Sequence, residues 1–142
     1  MIINGWCANQ LDYMALPPCH VLYVFSVNPE TKELNCHMTQ RSVDSFLGAP
    51  FNIASTALLT ILFAKTANLS PGEIFWTGTD CHVYNNHIDA VKLQIARTPF
   101  EFPTLKIAKP LEALEDILTL KFEDLALSNY RHHPAIKAEM AV

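Results

Sequence analysis

The alternation of apolar and polar positions changes period several times along this chain, and each change marks an element. Residues 1–6, Met1-Ile2-Ile3-Asn4-Gly5-Trp6, form an apolar run with no polar lead-in and read as a strand. The β-branched and aromatic run over 20–27 predicts a second strand. The turn formers Asn28-Pro29-Glu30-Thr31-Lys32-Glu33 follow, and the pattern over 34–41 predicts a returning strand, so the pair reads as a hairpin. A loop over 44–52 contains Pro50, a residue suited to the first turn of a helix. Ile53, Ala54, Ala57, Leu58, Ile61, Leu62 and Ala64 then give a wide apolar face to a largely buried helix ending near Asn68. Ser70-Pro71-Gly72-Glu73 reads as a turn, and 74–78 as a buried strand. Ile88, Val91, Leu93 and Ile95 are spaced for a helix over 87–96. Three prolines, at 99, 103 and 110, punctuate an extended segment holding Leu105-Lys106-Ile107. A short helix over 111–118, a strand over 120–127 and an irregular tail from Pro134 complete the pattern. Strands and helices alternate without a glycine-rich βαβ unit, so the expected architecture is a single α+β domain over 1–142, a mixed sheet packed against helices.

Composition narrows the function classes. Half of the 142 residues are hydrophobic, enough for an ordinary core. The net charge is -4 and the 10 basic residues are scattered, so nucleic acid is not expected as a partner. The longest apolar stretch, over 53–67, is broken by Ser55, Thr56, Thr60, Lys65 and Thr66, short of the ~20 residues that span a membrane. No secretory signal is visible at Met1, and the four cysteines form no Cys-x-x-Cys pair, so a reducing, cytoplasmic setting is expected. Gly-x-Gly-x-x-Gly and Walker patterns are absent, and with them the usual fingerprints of NAD and ATP.

The chemistry centres on Met14-Ala15-Leu16-Pro17-Pro18-Cys19-His20, where a rigid turn enters a strand. Only an ionised thiol attacks carbon well, and a free thiol is mostly protonated at neutral pH, so Cys19 needs positive charge nearby. The hairpin returns Gln40-Arg41-Ser42 towards Cys19 and so supplies a guanidinium. Two other readings of Cys19 stay open at this point: a small buried hydrophobe, or the nucleophile of a hydrolase with His20, His82 or His87 as base. A metal site at Cys36-His37, Cys81-His82 or His132-His133 is not expected, because strand neighbours point to opposite faces.

Longer motifs carry a resemblance. The stretch at Cys19, Gln40-Arg41-Ser42-x-Asp44-x-Phe46-Leu47-Gly48-x-Pro50-Phe51-Asn52-Ile53-Ala54-Ser55, Trp76-Thr77-Gly78-x-Asp80-x-His82-x-Tyr84-x-Asn86-His87, Phe122-Glu123-Asp124 and His133-Pro134-Ala135-Ile136-Lys137-Ala138 together resemble the folate-dependent, cysteine-using thymidylate synthase family. The likeness covers the whole chain and corresponds to the carboxy-terminal half of that family's length. It implies methylation of deoxyuridine monophosphate (dUMP) with 5,10-methylenetetrahydrofolate as one-carbon donor and hydride source, in a homodimer, without a metal. By the resemblance, Cys19 adds to C6 of the pyrimidine, and the enolate so formed attacks the folate-derived carbon. Arg41 corresponds to a phosphate-binding arginine whose charge also favours the Cys19 thiolate, Ser42 to a further phosphate contact and Gln40 to a polar position lining the site. Asn52 corresponds to the residue that reads the base through its amide, where related deoxycytidylate hydroxymethylases carry an acid; a helix N-cap is the plainer reading of the same residue. His82 and Tyr84, at i and i+2 of an extended segment, correspond to groups that hold the sugar hydroxyl. Asp44 corresponds to a carboxylate contacting the pterin, Leu47, Gly48 and Phe51 to neighbouring folate-side positions, and Val142 to a terminus that closes over the folate.

Departures from the family pattern also carry expectations. Gly78-Thr79 stands where two glycines are usual, so a backbone needing φ > 0 at the second position would be strained. Thr39 replaces a frequent tyrosine, and Tyr130-Arg131-His132-His133-Pro134 moves both charge and proline. The family's upstream half carries a proton-managing glutamate, folate-packing tryptophans and further phosphate-binding arginines. Met1 is therefore expected to be an internal methionine or the start of a split or partial coding sequence. The alternatives to an active synthase are an inactive partial chain that keeps nucleotide binding or dimerisation, and a deoxypyrimidylate hydroxymethylase.

Overall fold

The computed structural model describes residues 1–140 of the 142. They form two compact units, Met1–His82 and the segment from Val83 onward.

The first unit is a four-stranded sheet covered on one face by a helix. Strand β1 (Ile2–Asn4) pairs antiparallel with β2 (His20–Asn28), which forms the expected hairpin with β3 (Glu33–Asp44). Helix α1 (Ala49–Thr66) then crosses over to β4 (Ser70–His82), which lies parallel to β3 at the edge of the sheet. The sheet is mixed, and with its helices gives the α+β fold expected.

Alternation along β3 sets the core. Leu34, Cys36, Met38 and Gln40 are all buried on the face turned to α1, an apolar row that ends in one polar side chain. Phe25, Leu34, Cys36 and Ala64 form the centre, with Ile3, Tyr23, Leu59, Phe63 and Leu69 packed around them. Phe25 meets Phe63 edge to face at 5.1 Å.

The buried side of α1 keeps Leu62 and Ala64 of the face expected, but two threonines join them in place of Ile53 and Ala54. Thr56 and Thr60 are 1% exposed, whereas Ile53 is 41% exposed. The polar stripe Asn52, Thr56 and Thr60 is turned to the sheet, against the usual sense of an amphipathic helix. A threonine can go inside because its hydroxyl donates to the carbonyl one turn back: Thr56 to Asn52 and Thr60 to Thr56, both at 2.8 Å. After the last turn Asn68 takes φ 54° while the Leu69 N–H reaches the Ala64 carbonyl at 2.8 Å, a left-handed stop that asparagine tolerates.

The turn expected at 70–73 is strand. Pro71 pairs with Leu34 and is tolerated because β4 is an edge strand. The Glu73 N–H donates to Asn35 Oδ1 at 2.8 Å, and a Cβ at Gly72 would collide with that same oxygen. Thr79 lies within β4 and is not among the non-glycine residues with positive φ, which are Lys32, Asn68 and Asn129. The backbone therefore makes no demand for a second glycine there.

In the second unit a 3₁₀ turn (Asn85–His87) leads into α2 (Ile88–Ile95), and β5 (Thr104–Ile107) pairs antiparallel with β6 (Leu125–Ser128). The short helix α3 (Leu114–Leu118) lies between those strands in sequence, and Asp116 accepts the N–H groups of Glu112 and Ala113 ahead of it. The strand expected over 120–127 begins later, because Phe122–Asp124 forms a 3₁₀ turn held by the Asp124 carboxylate on the Lys121 N–H. Among the described residues no helix is long and apolar enough to cross a membrane.

Candidate active site

The β2–β3 register places Gln40 opposite His20, so Arg41 lies beside Cys19. The Arg41 N–H donates to the Cys19 carbonyl at 2.9 Å. Its guanidinium then grips the turn ahead of the cysteine, Nη2 donating to the Pro17 carbonyl at 2.5 Å and Nε to the Pro18 carbonyl at 3.1 Å. The two prolines fix the backbone, and the arginine fixes the prolines. Cys19 itself is half-buried. His20 leans on Tyr23 with ring centroids 6.2 Å apart, and its Nε2 is buried without a hydrogen-bond partner among the described residues.

One residue before Arg41, on the face turned to α1, Gln40 is 2% exposed and fully engaged. Its Nε2 donates to the Ser42 carbonyl at 3.0 Å and to Asn52 Oδ1 at 2.8 Å, while its Oε1 accepts the Trp76 indole N–H at 3.2 Å. Asn52 is the fourth residue of α1 and not its cap, which is Gly48. The amide of Asn52 is thus joined to the sheet rather than spent on the end of the helix.

Asp44 closes β3 and shapes the approach to α1. Its Oδ1 accepts the N–H groups of Phe46 and Leu47 at 3.0 and 3.2 Å, and its carbonyl accepts the Gly48 N–H at 3.0 Å. A Cβ on Gly48 would lie 2.9 Å from that carbonyl and 3.4 Å from Asn52 Oδ1, so glycine lets the three groups approach. Leu47 is half-buried and Phe51 is 75% exposed. The parallel register sets Ser42 opposite Asp80 and Asp44 opposite His82. The ring Nδ1 of His82 lies 3.7 Å from the Asp80 carboxylate, and the His82 carbonyl accepts the Ser45 N–H at 2.9 Å.

The first unit therefore brings together Cys19 with Arg41, Gln40 with Asn52, and Asp44 with Leu47 and Gly48; Ser42 and His82 sit on the adjoining strand ends. Tyr84 lies beyond the end of β4 in the second unit, its ring edge-on to His87 at 5.9 Å. His87, 1% exposed, donates from Nε2 to the Glu139 carbonyl at 2.6 Å. Val142 lies outside the described residues. Among those residues no group of three or more His, Cys, Asp and Glu could hold a metal ion.

Trp76 and the Pro17 and Pro18 carbonyls carry contacts to which the residue pattern had assigned no role. A signal for Trp76 exists: strand alternation puts it on the same face as Ile74 and Gly78, and a partly buried indole N–H takes a partner.

The family model described as thymidylate synthase matches residues 1–142, the whole chain. The chain belongs to the thymidylate synthase family. It is 51% identical over its full length to the bifunctional dihydrofolate reductase-thymidylate synthase of Leishmania major, covering 27% of that protein. It is 49% identical to the thymidylate synthases of two Coxiella burnetii strains, Dugway 5J108-111 and RSA 331 / Henzerling II, covering 52% of each. The chain thus spans about half the length of the thymidylate synthases it matches, and a smaller share of the bifunctional protein. Membership of this family takes the place of the cysteine-hydrolase reading of Cys19.

Proposed function

We propose that this chain carries the nucleophile and the pyrimidine-reading half of a thymidylate synthase site, and that it converts dUMP to dTMP in the cytoplasm together with the family portion it does not span. The observation that carries the reading is that the neighbouring β3 residues Arg41 and Gln40 hold, respectively, the turn at Cys19 and the amide of Asn52 on α1. Arg41 spends two of its five guanidinium N–H groups on the Pro17 and Pro18 carbonyls, which leaves three for a phosphate. Thiolate addition at C6 breaks the conjugation of the ring and makes C5 nucleophilic, dividing one hard step into two easier ones.

Asn52 reads the base, Ser42 assists with phosphate, and His82 takes the sugar hydroxyl. For 5,10-methylenetetrahydrofolate, which supplies the one-carbon unit and the hydride when bound, the donor set fits. Asp44 keeps its second carboxylate oxygen for a ring N–H, and Phe51 offers an exposed aromatic face beside Leu47 and Gly48. A homodimer is the proposed assembly. The sheet face turned away from α1 carries Ile2, Phe75, His37 and Thr77, uncovered and partly apolar.

Calorimetry with dUMP and with the nucleoside deoxyuridine tests the reading. The nucleotide should bind at least tenfold more tightly, and Arg41→Ala should erase that difference. Equal binding of nucleotide and nucleoside by the unaltered chain would overturn it.

A further inference from the structure

The hydrogen bonds of Gln40 fix more than its position; they fix the sense of its amide. An indole N–H can only donate, and a backbone carbonyl can only accept. Trp76 Nε1–H therefore requires the oxygen of Gln40 on its side, and the Ser42 carbonyl requires the nitrogen on the other. Reversing the amide would set oxygen against oxygen at Ser42 and N–H against N–H at Trp76. The remaining N–H of Gln40 points at Asn52, which must answer with Oδ1 at 2.8 Å. Rotating the Asn52 amide would then place two donors face to face. Polarity thus runs in one direction, from Trp76 through Gln40 to Asn52, and it leaves the NH₂ of Asn52 as the group turned away from Gln40.

We infer that Trp76 is a specificity-determining positioning residue: through Gln40 it holds Asn52 as a hydrogen-bond donor toward the pyrimidine 4-position, selecting a carbonyl there over an amino group. The inference rests on the proposed reading of Asn52 as the base-contacting residue. A uracil 4-oxygen accepts from that NH₂, whereas a cytosine 4-amino group meets donor with donor. Without the chain of fixed partners Asn52 could rotate and accept from an amino group, and the choice would weaken. Trp76 acts through two intervening amides and touches no substrate atom in this account.

The test is Trp76→Phe, which keeps an aromatic ring and removes the one N–H. Binding of dUMP and of deoxycytidine monophosphate (dCMP) is measured by calorimetry on the 142-residue chain and on the variant. Side-chain amide resonances of Gln40 and Asn52 are recorded for both by ¹⁵N NMR. The preference for dUMP should fall by roughly three- to tenfold in the variant, the range expected for one neutral hydrogen bond. Most of that change should come from tighter relative binding of dCMP. Both amide pairs, sharp and slowly exchanging in the parent chain, should exchange faster. A purely structural role would weaken both nucleotides alike and leave the ratio unchanged, which would overturn the inference while leaving the proposed function standing. If the parent chain binds neither nucleotide, the proposed function fails; unchanged Gln40 and Asn52 resonances in the variant would then reject the polarity chain separately.

Discussion

Arg41 shows how one side chain can serve two ends of a site. Its fork holds the Pro17 and Pro18 carbonyls, and its main chain holds Cys19. A lysine would keep the charge but not the planar fork. Arg41→Lys is therefore expected to lower dUMP affinity by about tenfold or more, in keeping with the ~1.5–3 kcal/mol of hydrogen bonds to charged groups, measured by calorimetry. The cysteines differ in the opposite way. Burial pushes the Cys36 thiol above its ordinary range, partly offset by the Thr60 hydroxyl beside it. The folded chain then keeps that proton to higher pH than the unfolded chain does. The associated stability is fully present below the ordinary thiol range and is lost as pH rises through it to the raised value. Timed iodoacetamide labelling read by mass should modify exposed Cys81 first and Cys36 last, only on unfolding. Labelling of Cys36 at the rate of Cys81 in the folded chain would refute its burial. At this scale the nearness of Arg41 to Cys19 was legible, because the hairpin that the residue pattern predicts brings the two together. The link from Trp76 to Gln40 was not, because it joins residues 36 positions apart through a parallel pairing that no local pattern encodes.

Among the elements, α1 is the instructive one. Its ends were visible, since Pro50 marks the start and Asn68 the stop, but of its inward face only Leu62 and Ala64 were. Periodicity points a helix only when one side is polar, and here the polar stripe Asn52, Thr56, Thr60 is the side facing the sheet. That stripe is what carries Asn52 to Gln40. The central strand was easier to read, because its alternation has a single buried face. Met38→Ala in that row should cost about 2–5 kcal/mol by urea unfolding, as expected for a large side chain removed from a site with no exposure. Asn68→Val, a β-branched residue at φ 54°, should cost roughly 1–2 kcal/mol in the same assay, and Asn68→Gly little or nothing. Beside the β5–β6 pair, the Lys109 ammonium, 2.6 Å away, and the Lys121 N–H hold the Asp124 carboxyl below the ordinary carboxylate range. Its contribution is present above that ordinary range and is lost as pH falls through the lowered value. Asp124→Asn should accordingly reduce the acid sensitivity of that pair, followed through the amide shifts of Leu105 and Ala126.

For the whole molecule, the family's chemistry is divided between what this chain spans and what it does not. The first unit holds Cys19 at the entry to β2, Arg41 on β3 and Asn52 on α1. The chain covers about half of each Coxiella burnetii thymidylate synthase, and the other half of that length is proposed to complete the pocket. Nucleotide recognition is accordingly expected from the chain alone, and turnover only with that half supplied. The most direct measurement mixes the 142-residue chain with 5-fluoro-deoxyuridylate and 5,10-methylenetetrahydrofolate, with and without the amino-terminal half of a related thymidylate synthase, and reads the mass of the peptide holding Cys19. A covalent adduct on Cys19 that forms only when the second half is present, and not in Cys19→Ser, is the predicted result. An adduct from the chain alone, or none on Cys19 in the complemented mixture, would contradict it.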